Sequence, residues 1–100
     1  MTISYRKLTI NGLLMHVALA GEANPGPWVL MIHGFPDDHS VWRHQIPALV
    51  KQGFRVIAPD MRGCGDSEIP AELSQFRLDA LVDDLLKLMD QLAIPSVRLV

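Results

Sequence analysis

Residues 28–36 read Trp28-Val29-Leu30-Met31-Ile32-His33-Gly34-Phe35-Pro36. Five apolar residues run without a polar spacer into a histidine, a glycine and a proline. A short continuous apolar run is what a parallel strand covered on both faces looks like. The residues after it are turn-formers. Gly34 lets the backbone turn sharply and lets another group approach closely. Pro36 fixes its own φ and pushes Phe35 out of the helical region. Two readings of this loop stand side by side. It is a tight strand-to-helix turn, or it holds the Phe35 N–H stiffly toward a cleft, as an oxyanion hole requires.

Short apolar runs bounded by turn residues recur on either side of this strand. Tyr5–Ile10 and Leu13–Ala20 flank Asn11-Gly12, the strongest short-range hairpin signal. That turn and His16 also break the faint likeness of Met1–Ala20 to a secretion signal. The loop 21–27 is dense in turn residues, and the Trp28–Ile32 strand follows. Val41–Gln52 has helical character with Ser40 as a candidate N-cap. Pro47 divides it into a turn at Val41–His44 and a helix starting near Pro47. Gly53 is a natural stop. Phe54–Ala58 reads as the next buried strand and Val97–Val100 as another. Between them, Leu78–Leu92 repeats apolar residues at i, i+3, i+4 and i+7, with Asp79, Asp83, Asp84, Lys87 and Asp90 as the polar complement. Strands alternating with helices after a hairpin give an α/β fold with right-handed crossovers and a parallel sheet.

Composition narrows the functional classes. A chain of 100 residues makes one small domain, and 49% hydrophobic residues suit a sheet covered on both faces. Nine Lys plus Arg against eleven Asp plus Glu, with no block of like charge, argue against a nucleic-acid surface or a polybasic membrane patch. No run approaches the ~20 apolar residues of a membrane span. A single cysteine, Cys64, leaves no intramolecular disulfide and fits a reducing, cytoplasmic compartment.

Ligands of such sheets lie beyond the carboxyl ends of the strands. Two loops sit there, residues 33–40 and 60–74. His33 reads as a packed, hydrogen-bonded histidine, because no second triad or metal residue stands near it in sequence. His39 and His44 read as solvated or rim residues, and no His/Cys/Asp spacing resembles a zinc site. Gly63-x-Gly65 lacks the third glycine and the lysine of phosphate loops, so no nucleotide cofactor is expected. Asp60 and Arg62 are expected to brace the second loop, and Cys64 to be a buried or half-buried thiol.

Taken together, strand-His33-Gly34-Phe35-Pro36, then Trp42, then Val56-Ile57-Ala58-Pro59-Asp60-Met61-Arg62-Gly63-x-Gly65-x-Ser67, then an amphipathic helix and an apolar strand, resemble the N-terminal part of an α/β-hydrolase. Within that fold the chain is similar to the soluble epoxide hydrolase and haloacetate dehalogenase branch. Phe35 matches that branch and not the Asn or Glu of many haloalkane dehalogenases; at Cys64, relatives more often carry an aromatic residue. The resemblance implies that Phe35 gives a backbone N–H to the oxyanion hole, with His33, Gly34 and Pro36 shaping the loop. It implies a small epoxide, halide or ester as substrate and no metal or cofactor. It also puts the Trp28 strand between the Phe54 and Val97 strands, and the nucleophile on a Gly-x-Nu-x-Gly elbow after the Val97 strand. The acid, the base and a cap domain lie further on. The chain is thus expected to be the N-terminal portion of a core domain, inactive alone. A reading of another class is a complete, non-catalytic α/β interaction module, which would need a partner for the Val97 strand.

Overall fold

The computed structural model describes residues 3–34 and 37–100. The expectations for Phe35 and Pro36 therefore fall outside the described residues. Strands β1 (Ile3–Ile10) and β2 (Leu13–Ala20) form an antiparallel hairpin. Its turn has Asn11 at φ 51° and Gly12 at φ 78°, the left-handed pair that a two-residue hairpin of this twist requires.

Strands β3 (Trp28–Leu30), β4 (Arg55–Pro59) and β5 (Arg98–Leu99) complete a five-stranded sheet in the order β1-β2-β4-β3-β5. β3 lies between β4 and β5 and is parallel to both, while β2 joins β4 antiparallel. The order matches the sequence expectation. β3 and β5 are shorter than expected, yet their ladder continues. Met31 N–H donates to Ile57 O at 2.9 Å and Ile32 N–H to Val100 O at 3.0 Å.

The continuous apolar runs are explained by two covered faces. Val29, Met31, Val56 and Ala58 face one way, onto Ile46 of helix α1 (Gln45–Lys51). Leu30 and Ile57 face the other way, onto Leu88 of helix α2 (Leu78–Gln91). Pro47 sits at the third position of α1. The first N–H groups of a helix have no intrahelical partner, so the missing N–H costs nothing there. A 3-10 turn at His39–Trp42 precedes α1, and its cap is Asp38, whose carboxylate accepts from Ser40 N–H at 2.8 Å. Ser40, the expected cap, lies inside that turn and gives both its N–H and its Oγ–H to Asp38.

Both helices end in the same way. Gly53 N–H bonds Val50 O and Phe54 N–H bonds Leu49 O; Ala93 N–H bonds Asp90 O and Ile94 N–H bonds Met89 O. Each is a Schellman closure with a left-handed residue, Gly53 at φ 93° and Ala93 at φ 57°.

Candidate active site

The carboxyl ends of β3 and β4 deliver the two loops to the same end of the sheet. His33 is buried there and bonded at both ring nitrogens. Its Nε2 accepts from the Met61 N–H at 2.9 Å, which fixes the proton on Nδ1, and Nδ1–H donates to Gly34 O at 2.9 Å. The ring is a neutral strut between the loops. Gly34 O also accepts from Asp37 N–H at 2.8 Å. A Cβ at Gly34 would meet nothing within 4 Å and its φ is not left-handed, so the close approach expected at Gly34 is not demanded by any described neighbour.

The second loop hangs on Asp60, which is fully buried. Oδ1 accepts from the His39 N–H at 2.7 Å and from His39 Nδ1 at 2.7 Å. Oδ2 accepts from His16 Nδ1 at 2.9 Å and from the Asp66 N–H at 3.1 Å. Burial pushes the carboxyl pKa upward, but the backbone N–H groups of His39 and Asp66 and then the two imidazoles outweigh it. The net effect holds it below the ordinary carboxylate value. Gly65 is required here. A Cβ would stand 2.5 Å from Asp60 Oδ2, and its φ is 52°. Ser67 closes the loop, its Oγ accepting from His16 N–H at 2.8 Å and donating to Asp60 O at 2.6 Å.

His39 corrects the sequence reading: it is not a solvated rim residue but a bonded partner of Asp60. His16, noticed in the sequence only for interrupting an apolar stretch, is its counterpart. No sequence spacing points to this cluster, because its members sit on β2, the 3-10 turn and the end of β4. The one available signal was a histidine on an inward position of a strand.

Asp84 is the second correction. It reads in sequence as part of the polar face of α2, yet it is 1% exposed. Arg62 Nε and Nη2 donate to its two oxygens at 2.7 and 2.6 Å, and Nη1 donates to Gln75 O at 2.7 Å. The hydrogen bonds that Arg62 donates to Asp84, opposed by burial, raise the Arg62 pKa. Asn11 of the hairpin turn donates to Asp84 Oδ1 at 2.9 Å as well. Arg62 thus pins the second loop to α2 and the hairpin. Cys64 is buried, and burial followed by the charges of Asp60, Asp38 and Asp37 raises its pKa, which makes it a poor nucleophile.

Beside these braces lies a cavity of about 540 Å³, walled by Ile32, His33, Met61, Arg62, Cys64 and Phe76 and by Leu78, Leu81, Val82 and Leu85 of α2. It is apolar apart from His33 and Arg62. Among the described residues, no hydroxyl or thiol is hydrogen-bonded to an imidazole ring, so no serine-, threonine- or cysteine-type nucleophile is activated there.

Residues 27–100 match the family described as alpha/beta hydrolase fold. The chain belongs to that family. Within the alpha/beta hydrolase fold it is similar to epoxide hydrolase 1 of Siraitia grosvenorii, with 45% identity over 98 residues, covering 98% of the chain and 30% of the relative. It is 38% identical to bifunctional epoxide hydrolase 2 of Mus musculus over 95 residues, or 94% of the chain and 17% of the relative. An epoxide hydrolase structure from Vigna radiata superposes with a TM-score of 0.90 at 46% identity, over 97% of the chain and 31% of that structure. Epoxide hydrolase A from Mycobacterium thermoresistibile superposes with a TM-score of 0.90 at 39% identity, over 98% of the chain and 30% of that structure. The chain thus spans under a third of the length of these relatives. No helix of the described residues is long and apolar enough to cross a membrane.

Proposed function

We propose that the protein carrying this chain is an epoxide hydrolase working through an aspartyl ester. The observation that carries this is the likeness in sequence and in fold, over nearly the whole chain, to proteins named epoxide hydrolases. Residues 1–100 supply the N-terminal part of the core domain and one half of the oxyanion site. Residues outside them supply the elbow nucleophile, the orienting acid, the base and the cap. The nucleophilic carboxylate attacks an epoxide carbon, the C–O bond breaks, and the ring oxygen leaves as an alkoxide that takes a proton from a cap tyrosine. A histidine then takes a proton from water, whose oxygen attacks the ester carbonyl. In this proposal the backbone N–H of Phe35 stabilises the oxyanion formed in that second step. His33, Gly34 and Pro36 set the loop that aims it, the His33 strut to Met61 being the described part of that arrangement. The substrate is a small, largely apolar epoxide.

The test is single-turnover reaction of the full-length protein with an aryl epoxide in ¹⁸O water, followed by peptide mass analysis. Heavy oxygen appearing in one enzyme aspartate supports the ester route. Turnover of haloacetate but not epoxide, or acylation of a serine by an ester substrate, assigns the protein to the corresponding sister chemistry and overturns the epoxide reading. Absence of all three activities favours an interaction module.

A further inference from the structure

His16, His39 and Asp60 come from three elements far apart in sequence, and their ligating atoms all lie within 4.8 Å of one another. Both imidazoles aim Nδ1 at one carboxylate, at 2.9 Å from His16 and 2.7 Å from His39. The carboxylate accepts only, so each Nδ1 now carries a proton. We propose that this cluster is a structural site for a divalent transition-metal ion of the zinc type, which takes the place of the two ring protons. Two imidazoles and one carboxylate match the ligand chemistry of such an ion, and a water fills the fourth tetrahedral position.

The site is built before any ion arrives. Asp60 is held by the backbone N–H groups of His39 and Asp66. The His16 backbone is held on both sides, its N–H by Ser67 Oγ and its carbonyl by the Asp60 N–H at 2.8 Å. Tyr5 stacks on the His16 ring with centroids 5.3 Å apart and fixes its plane. The ion replaces the proton on each Nδ1, and each bound ring carries its proton on Nε2, the neutral form that ligates a metal. The His16 Nε2 then faces Asp66, whose Oδ2 is 4.0 Å away, the outer carboxylate that metal-bound histidines commonly carry. The two imidazole side chains are 11% and 18% exposed, which leaves an entry path from solvent. The ion would clasp β2, the 3-10 turn and the end of β4, outside the catalytic steps proposed above.

Full-length protein stripped of metal is titrated with Zn²⁺ in a calorimeter and with Co²⁺ in an absorption spectrometer. One equivalent is expected to bind, with a rise in Tm. Tetrahedral Co²⁺ bands should appear without a thiolate charge-transfer band, and the ¹⁵N shifts of two histidines should switch from the Nδ1–H to the Nε2–H form. His39→Gln abolishes that binding, while Cys64→Ser and His44→Gln retain it; His39 is the deciding position because its side chain is the more exposed of the two. Binding undiminished in His39→Gln, binding lost in Cys64→Ser, or no binding by the wild-type protein at equimolar metal overturns the site.

Discussion

His33 Nε2 accepts the Met61 N–H at 2.9 Å, so the two loops at the carboxyl edge of the sheet are joined by one buried imidazole. The bond explains why an apolar strand ends in histidine. Only a neutral ring with opposed donor and acceptor bonds its own loop through Gly34 O and the neighbouring loop through Met61. His33→Ala leaves the Met61 N–H buried without that partner. We expect a loss of about 1–3 kcal/mol of stability, the penalty of an orphaned buried donor. Chemical denaturation of the full-length protein measures it, and a change below the low end would mean that water replaces the ring.

Arg62 and Asp84 form a buried two-pronged ion pair. Removing one partner strands the other charge, a cost of about 3–5 kcal/mol, whereas replacing both by apolar residues of similar volume is often far cheaper. Asp84→Ala should therefore destabilise more than the Arg62→Met, Asp84→Leu double variant. The double variant still loses the Asn11 and Gln75 bonds, so it should not exceed wild type. Equal losses in the two variants would show that the charges are solvated.

Asp60 predicts a pH dependence. Its carboxyl pKa is lower in the folded protein than the ordinary 3.8. A depressed folded pKa gives stability that is fully present above the unfolded value and lost as pH falls through the folded one. Asp60→Asn should thus be less stable than the parent at neutral pH, with the gap narrowing as pH drops below about 4, near the reference carboxylate value. Urea unfolding at a series of pH values reads this directly. A gap that stays constant would mean that Asp60 acts by shape and not by charge.

Much of this architecture can be read from residue order. Asn11-Gly12 sets the hairpin, the uninterrupted Val29–Met31 and Val56–Ala58 runs announce a sheet covered on both faces, and Leu81, Leu85 and Leu88 mark the inner stripe of α2. The braces of the site are harder to see. Asp84 occupies an inward position of that stripe and looks solvated only because its partner Arg62 is twenty-two residues away in sequence. His16 and His39 are invisible for the same reason: pairing through a buried carboxylate leaves no periodic trace. Sequence pattern reports burial of apolar groups, and long-range polar pairing requires the fold first.

Pro36→Ala tests the oxyanion role proposed for Phe35. Losing one oxyanion donor costs about 2.7–4 kcal/mol of transition-state stabilisation, and loosening it costs less. We expect kcat to fall severalfold in the full-length protein while Tm shifts little. The ester-hydrolysis step should slow more than ester formation, because the oxyanion develops there. Unchanged rates with unchanged stability would remove the role.

Residues 1–100 expressed alone should not form a stable monomer. Leu78, Val82 and Leu86 of α2 and Leu99 and Val100 at β5 are all exposed, Leu78 by 76% and Leu99 by 68%. Leu78 and Val82 also line the cavity, together with Leu81 and Leu85. β5 is hydrogen-bonded to β3 on one side, and among the described residues its other edge pairs with nothing. An unpaired apolar edge recruits another chain. Each wet side chain also forgoes roughly 25 cal/mol per Å² of apolar area, against a total stability of ~5–15 kcal/mol for a natural domain. We expect self-association and no cooperative melt, measured by sedimentation and near-UV dichroism. Epoxide and ester turnover should be absent, since stabilising an oxyanion achieves nothing without an attacking group to form one. A monodisperse monomer with a sharp transition would show that these exposed side chains need no cover, and any turnover by this chain would overturn the assignment of the nucleophile to residues outside it.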